Sequence, residues 1–171
     1  MLACLQAQGE LSGSWRVWER QTCSALAGLR SVKGRCLVGG NTHTRILVAD
    51  NDARVRSALQ TLLRQEPGGV IVRESADVDG LATQVKEFKP DLVLLDWELP
   101  GRPAAALLFA LHGLGCSPKV IVLSARPEAE RLALSAGADA FVCKGDPPDR
   151  LLESFRSLVQ ESTTARRASR P

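Results

Sequence analysis

The stretch DLVLLDWELPG, residues 91–101, sets four apolar residues, Leu92 to Leu95, between two aspartates and closes on Pro100-Gly101. An apolar run this short, bounded by a turn, reads as a strand buried on both faces. Asp96 at its end places a carboxylate against that core, where a charge is costly unless something compensates it. Four similar runs flank it: RILVAD (45–50), VIVRES (70–75), KVIVLS (119–124) and DAFVCK (139–144). Helical patterns separate them. ARVRSALQTLLR (53–64) carries Val55, Leu59, Leu62 and Leu63 on one face, and DGLATQVKEF (79–88) stops at Lys89-Pro90. PAAALLFALHG (103–113) reads as a helix ending in Gly113. PEAERLALSAG (127–137) has Pro127 near its start and Gly137 past its end. GDPPDRLLESFRSLV (145–159) reads as a helix with Asp146 as N-cap and an apolar face of Leu151, Leu152, Phe155, Leu158 and Val159. Strand followed by helix, five times over, predicts a doubly wound α/β fold with a parallel sheet and helices on both faces.

The chain has 171 residues, 44% hydrophobic and 24% charged, the composition of a globular protein. Its net charge of +3 is uneven: residues 1–43 carry +3, residues 161–171 carry +2, and the stretch between them is −2. A weakly acidic domain between two basic ends does not suit a nucleic-acid-binding core, and direct DNA binding is not expected. Residues 1–43 show no sustained period and read as an extension, disordered or partly helical around Trp15 and Trp18. Residues 161–171 read as a disordered basic tail, leaving 44–160 as the domain. Five cysteines at irregular spacing, with no C-x-x-C, fit free thiols in a reducing cytoplasm. His112 and Cys116 are an isolated pair, short of the four ligands that tetrahedral zinc takes. No apolar run reaches the roughly 20 residues of a membrane span.

The polar residues fall at strand ends. Asp50 and Asn51 end the first run, Asp96 the third, Ser124 the fourth and Lys144 the fifth. In an open parallel sheet such groups converge on one rim, where ligands bind. Crowded carboxylates raise one another's pKa, which a hard divalent cation relieves. An aspartate beside such a cation can attack phosphorus, and an ammonium and a hydroxyl can hold phosphoryl oxygens. No G-x-x-x-x-G-K-[ST] and no G-x-G-x-x-G after a strand accompanies this set. A haloacid-dehalogenase-like phosphatase would want an acid two residues after its nucleophile and a threonine soon after. Glu98 meets the first demand, and Leu99-Pro100 fails the second.

ILVADND (46–52), PDLVLLDWELPG (90–101), VIVLSA (120–125) and GADAFVCKG (137–145) occur in order and resemble the motifs of receiver domains of two-component response regulators. The resemblance covers residues 44–160. It implies a flavodoxin-like (βα)5 fold with strand order 2-1-3-4-5 and a phosphoacceptor aspartate served by a histidine kinase or a phosphotransfer protein. It implies no enzymatic activity beyond self-phosphorylation and dephosphorylation. By position, Asp96 matches the phosphoacceptor, and Asp50 and Asn51 match the acidic pair that binds Mg²⁺ (or Mn²⁺). Glu98 stands where the family offers a backbone carbonyl to the metal. Ser124 and Lys144 match the phosphoryl-binding pair, and Phe141 matches the switch aromatic.

Three departures from the pattern stand out. Asn51 replaces an acid; a unit charge at ~4 Å is worth roughly 1–4 kcal/mol, so metal affinity falls by about one to three orders of magnitude unless Asp52 or Glu98 offsets it. Gly145 stands where the family usually has proline, which leaves the loop after Lys144 freer. GRPAAALL lacks the acidic-glycine step common after the acceptor. The alternative expectation is therefore a degenerate receiver that binds partners without phosphorylation. Residues 161–171 are too few for a helix-turn-helix output domain, so output is expected through a partner or through residues 1–43.

Overall fold

The computed structural model describes residues 43–113 and 118–168, with side chains as far as Gln160. Apart from His43, the expected 1–43 extension lies outside the described residues, as do Cys116 and residues 169–171. Five strands are β1 (Thr44–Ala49), β2 (Val70–Ser75), β3 (Leu92–Asp96), β4 (Lys119–Ser124) and β5 (Ala140–Cys143). They form one parallel sheet in the order β2-β1-β3-β4-β5. The helices are α1 (Ala53–Leu63), α2 (Val78–Phe88), α3 (Ala104–His112), α4 (Glu130–Ser135) and α5 (Pro148–Ala168). This is the expected flavodoxin-like (βα)5 arrangement and strand order.

Period-two alternation divides each central strand between two cores. Ile46, Val48, Leu92, Leu94, Ile121, Leu123 and Val142 face one side, covered by Leu59, Leu62 and Leu63 of α1 and Leu151, Leu152, Phe155 and Leu158 of α5. Leu47, Ala49, Val93, Leu95, Val120 and Val122 face the other, under α2, α3 and α4. β3 is buried along its whole length, which explains why DLVLLD shows no alternation. Each fully buried Leu or Val contributes about 1.5–3 kcal/mol of transfer energy. β2 departs from this pattern: it lies at the sheet edge, and Ile71 is 45% exposed.

Three local expectations need correcting. PEAERLALSAG is a 3₁₀ turn at Pro127–Ala129 followed by the short α4, not one continuous helix. Asp146 does not cap α5. Its carboxylate accepts the Cys143 N–H at 3.2 Å in a turn against β5, and the helix begins two residues later at Pro148. α5 also runs eight residues past Gln160 to Ala168, in place of the expected disordered tail. The added segment, ESTTARRA, holds no Gly or Pro and includes Glu, Ala and Arg, which are good helix formers.

Candidate functional site

The order β2-β1-β3 reverses the direction of winding between β1 and β3, so their C-terminal loops open a crevice at the switch point. Asp50 follows β1 and Asp96 ends β3; they are 0% and 2% exposed. Lys144, just beyond β5, reaches across the rim to both. Its Nζ lies 2.7 Å from Asp50 Oδ2 and 3.1 Å from Asp96 Oδ1. The strand-end pattern predicts that these three converge, and in the structure Lys144 contacts both aspartates.

The electrostatics follow from that burial. Desolvation pushes the Asp96 carboxyl up from 3.8 to about 6; Lys144 pulls it down and Asp50 pushes it further up. Burial also works against the Lys144 ammonium, but the two carboxylates outweigh it and hold its pKa above the ordinary lysine value. At neutral pH Asp96 is therefore mainly ionised, held beside one fixed cation.

The remaining expected residues take varied positions. Asn51 is exposed at the bend after β1. Asp52 caps α1: its Oδ1 accepts the Arg54 N–H at 2.8 Å, and its own N–H donates to Asp50 Oδ1 at 2.8 Å. One Asp52 oxygen is thereby committed to the helix end. The Glu98 N–H donates to Asp96 Oδ1 at 3.1 Å, fixing the turn after β3. Phe141 is half-buried on β5 and packs, like Trp97, against the core under α2 to α4. Ser124 is fully buried, and its hydroxyl donates to the Glu98 carboxylate at 2.8 Å.

Two arginines at the rim escaped the sequence reading. Arg56 donates from Nη1 to the Asp50 carbonyl at 2.7 Å and from Nε to Glu74 at 3.2 Å, tying the end of β1 to β2. The signal for it is helical spacing: Arg56 lies one turn past the cap Asp52, on the strand-facing side of α1. Arg126 donates from Nε to Glu98 Oε1 at 3.0 Å. Its signal is position alone, two residues past Ser124 in a rim loop. The Glu98 side chain, expected to point at the site and offset the charge lost at Asn51, is instead bonded to Ser124 and Arg126. Burial pushes its carboxyl up, but hydrogen bonding with Ser124, Asp96 and Arg126 prevails and holds it below the usual range.

Among the described residues, no three His, Cys, Asp or Glu side chains group closely enough to hold a metal by themselves. Asp50 and Asp96 do share one cation, so the donors the structure brings together are two carboxylates. Mg²⁺ takes one or two carboxylates and fills its shell with other oxygens and water, so this set fits Mg²⁺ better than zinc.

Comparison with known proteins agrees with this geometry. Residues 46–156 match the family model of the response regulator receiver domain. The phosphate regulon transcriptional regulatory protein PhoB of Escherichia coli is 32% identical over 122 residues, which cover 68% of this chain and 52% of PhoB. The nitrate/nitrite response regulator protein NarP of the same organism is 26% identical, over 71% of this chain and 57% of NarP. The chain thus spans about half the length of these curated relatives. A CheY-like receiver domain protein of Methanospirillum hungatei, known from its crystal structure, is 28% identical with a TM-score of 0.65 and is covered over 99% of its length, against 72% of this chain. A signal receiver domain of a LuxO-type repressor from Vibrio parahaemolyticus, 17% identical, shares the fold with a TM-score of 0.69. With two buried strand-end aspartates under one lysine, on a 2-1-3-4-5 sheet matched over residues 46–156, the chain belongs to the receiver domain family of two-component response regulators.

Proposed function

We propose that this receiver is a phosphorylatable switch in which Asp96 accepts a phosphoryl group from a histidine kinase or a phosphotransfer protein in the cytoplasm. The observation that carries this reading is the Lys144 ammonium bonded at once to Asp50 and Asp96 in a buried rim pocket. An Asp96 oxygen attacks phosphorus and forms the new P–O bond. The P–N bond to the donor histidine breaks, its electron pair leaves with the imidazole, and that ring takes a proton from solvent. Lys144 stays with Asp96 and neutralises charge on the incoming phosphoryl oxygens. The Ser124 hydroxyl, one strand away, takes a phosphoryl oxygen once it leaves Glu98. A bound Mg²⁺ (or Mn²⁺) supplies further charge neutralisation, and Asp50, Asp96, the Asn51 side-chain oxygen and the Glu98 backbone carbonyl would hold it. Among the described residues no helix is long and apolar enough to cross a membrane.

Asn51 favours a second reading. With one carboxylate fewer, and with Lys144 already between the other two, the pocket suits a degenerate receiver that binds its partner constitutively. Incubation with acetyl phosphate and Mg²⁺ followed by intact mass decides between them. One phosphoryl adduct on wild type, absent from Asp96→Asn, supports the switch. No adduct on wild type, or an adduct that survives the substitution, supports the degenerate module.

A further inference from the structure

The hydroxyl that would serve the phosphoryl group is engaged elsewhere. Ser124 Oγ donates to Glu98 Oε1 at 2.8 Å and accepts the Arg126 N–H at 3.0 Å. Its one proton is committed, and the residue is 0% exposed, so bulk solvent cannot compete for it. The same Glu98 oxygen accepts Arg126 Nε at 3.0 Å. One carboxylate oxygen thus fastens the loop after β3 to the loop after β4 through two donors. A hydrogen bond to an ionised acceptor is about twice as strong as a neutral one. Glu98 and Arg126 are 36% and 59% exposed, so the ion pair alone contributes little, and the buried Ser124 bond carries most of the hold.

We infer that Glu98 is a positioning residue that holds Ser124 away from Asp96 and so biases the switch toward its unphosphorylated form. This inference rests on the phosphoacceptor reading of Asp96. Two costs follow from the geometry. The Ser124 hydroxyl must give up a charged acceptor before it can donate to a phosphoryl oxygen. The Glu98 carboxylate, two residues past Asp96, also repels the charge that arrives there. Once Glu98 is displaced, Arg126 is left with its charge at the same rim, free to pair with the phosphoryl group. Release of one contact therefore removes an obstacle and frees a cation.

The test uses the full chain as wild type, Glu98→Ala, Glu98→Gln, Ser124→Ala and the Glu98→Ala/Ser124→Ala pair. At a sub-saturating concentration of acetyl phosphate with Mg²⁺, the ratio of phosphorylated to free chain by intact mass is expected to rise roughly tenfold in Glu98→Ala, the scale of one charge-assisted hydrogen bond. Glu98→Gln, which keeps an oxygen acceptor without the charge, is expected to fall between wild type and Glu98→Ala. In the Ser124→Ala background the gain is expected to shrink to a small residue from repulsion. An equal gain with and without Ser124, or no gain, overturns the inference. The contact itself is read separately, without phosphate or metal, from the Arg126 backbone amide resonance. That resonance is expected to move on Glu98→Ala in the wild-type background, and to move less in the Ser124→Ala background, where only the Arg126 side-chain pair is lost. Failure to move overturns the positioning role even where adducts form. Movement with no adduct on any chain instead overturns the phosphoacceptor reading and reduces the contact to a structural tie.

Discussion

The Lys144 ammonium lies 3.1 Å from Oδ1 of Asp96, and the two groups are 16% and 2% exposed. This contact compensates the burial of Asp96 only in part. The carboxyl remains well above the ordinary range, at about 6, because desolvation outweighs the lysine and Asp50 adds its own charge. The chain therefore keeps an ionised carboxylate at the rim at a cost in stability, as the proposed phosphoacceptor role requires.

That cost has a pH window. The folded pKa of Asp96, about 6, lies above its ordinary 3.8, so the native state binds a proton that the unfolded chain has released. Stability from this group is greatest at acid pH and falls as pH rises from about 4 through 6. Moving the pKa from 3.8 to about 6 corresponds to about 3 kcal/mol. Asp96→Asn removes the titration but also takes a partner from Lys144, so we expect a gain of about 1–2 kcal/mol at pH 7.5. The gain is expected to vanish near pH 4. Urea denaturation of both chains at the two pH values measures it, and a variant less stable than wild type at pH 7.5 contradicts the account.

Lys144 should act in the opposite sense. Its folded pKa is raised, so its contribution is present throughout the range below the ordinary lysine value and is lost as pH rises through the folded one. Lys144→Met leaves Asp50 and Asp96 buried with no cation between them. Removing one member of a buried pair costs about 3–5 kcal/mol, and we expect about 3 kcal/mol at pH 7.5. At pH 5 protonation of Asp96 relieves the repulsion, and the deficit is expected to narrow. Guanidinium unfolding at both pH values checks the direction.

On the proposed Mg²⁺ reading, Asn51 limits the strength of metal binding. Restoring a carboxylate there, as Asn51→Asp, is expected to tighten Mg²⁺ binding at least tenfold, the lower end of what a unit charge near ~4 Å is worth. The chain has three tryptophans, Trp15, Trp18 and Trp97, and Trp97 directly follows Asp96. Fluorescence titration in a Trp15→Phe/Trp18→Phe background therefore reports the site. Affinity is also expected to fall as pH drops through 6, since Asp96 must be ionised to bind. Equal affinity with and without the Asn51→Asp substitution would place the cation elsewhere.

Much of this was legible in the sequence because the fold writes its ends in polar residues. Four of the five strands are apolar runs closed by Asp50, Asp96, Ser124 or Lys144, and parallel winding allows those ends only one rim. The contact between Glu98 and Arg126 was not legible. It joins two loops 28 positions apart and depends on their relative placement, which no local pattern encodes. Asp146 misled for a related reason: an Asp before Pro-Pro fits a helix cap, but the nearby Cys143 N–H claimed its carboxylate first. The end of α5 was missed because residues past Gln160 carry no apolar period, and apolar period was the signal read for helices.

Two glycines near the rim separate conformational need from conformational slack. Gly101, two residues past Leu99 in the loop after β3, sits at φ +117, and an added Cβ would lie 3.1 Å from Val78 Cγ2 on α2. Gly101→Ala is expected to cost about 1–3 kcal/mol, the strain of a side chain held in that region. Gly145, beside Lys144, has no such φ, and its nearest neighbour to an added Cβ is Cys143 Sγ at 3.8 Å. Gly145→Ala is expected to stabilise the chain by about 0.4–1 kcal/mol by restricting the unfolded state. It is also expected to hold the loop after Lys144 more firmly without touching Asp50 or Asp96. Thermal unfolding of the two variants should move in opposite directions, and a loss in Gly145→Ala would mean that the loop uses its freedom in the native state.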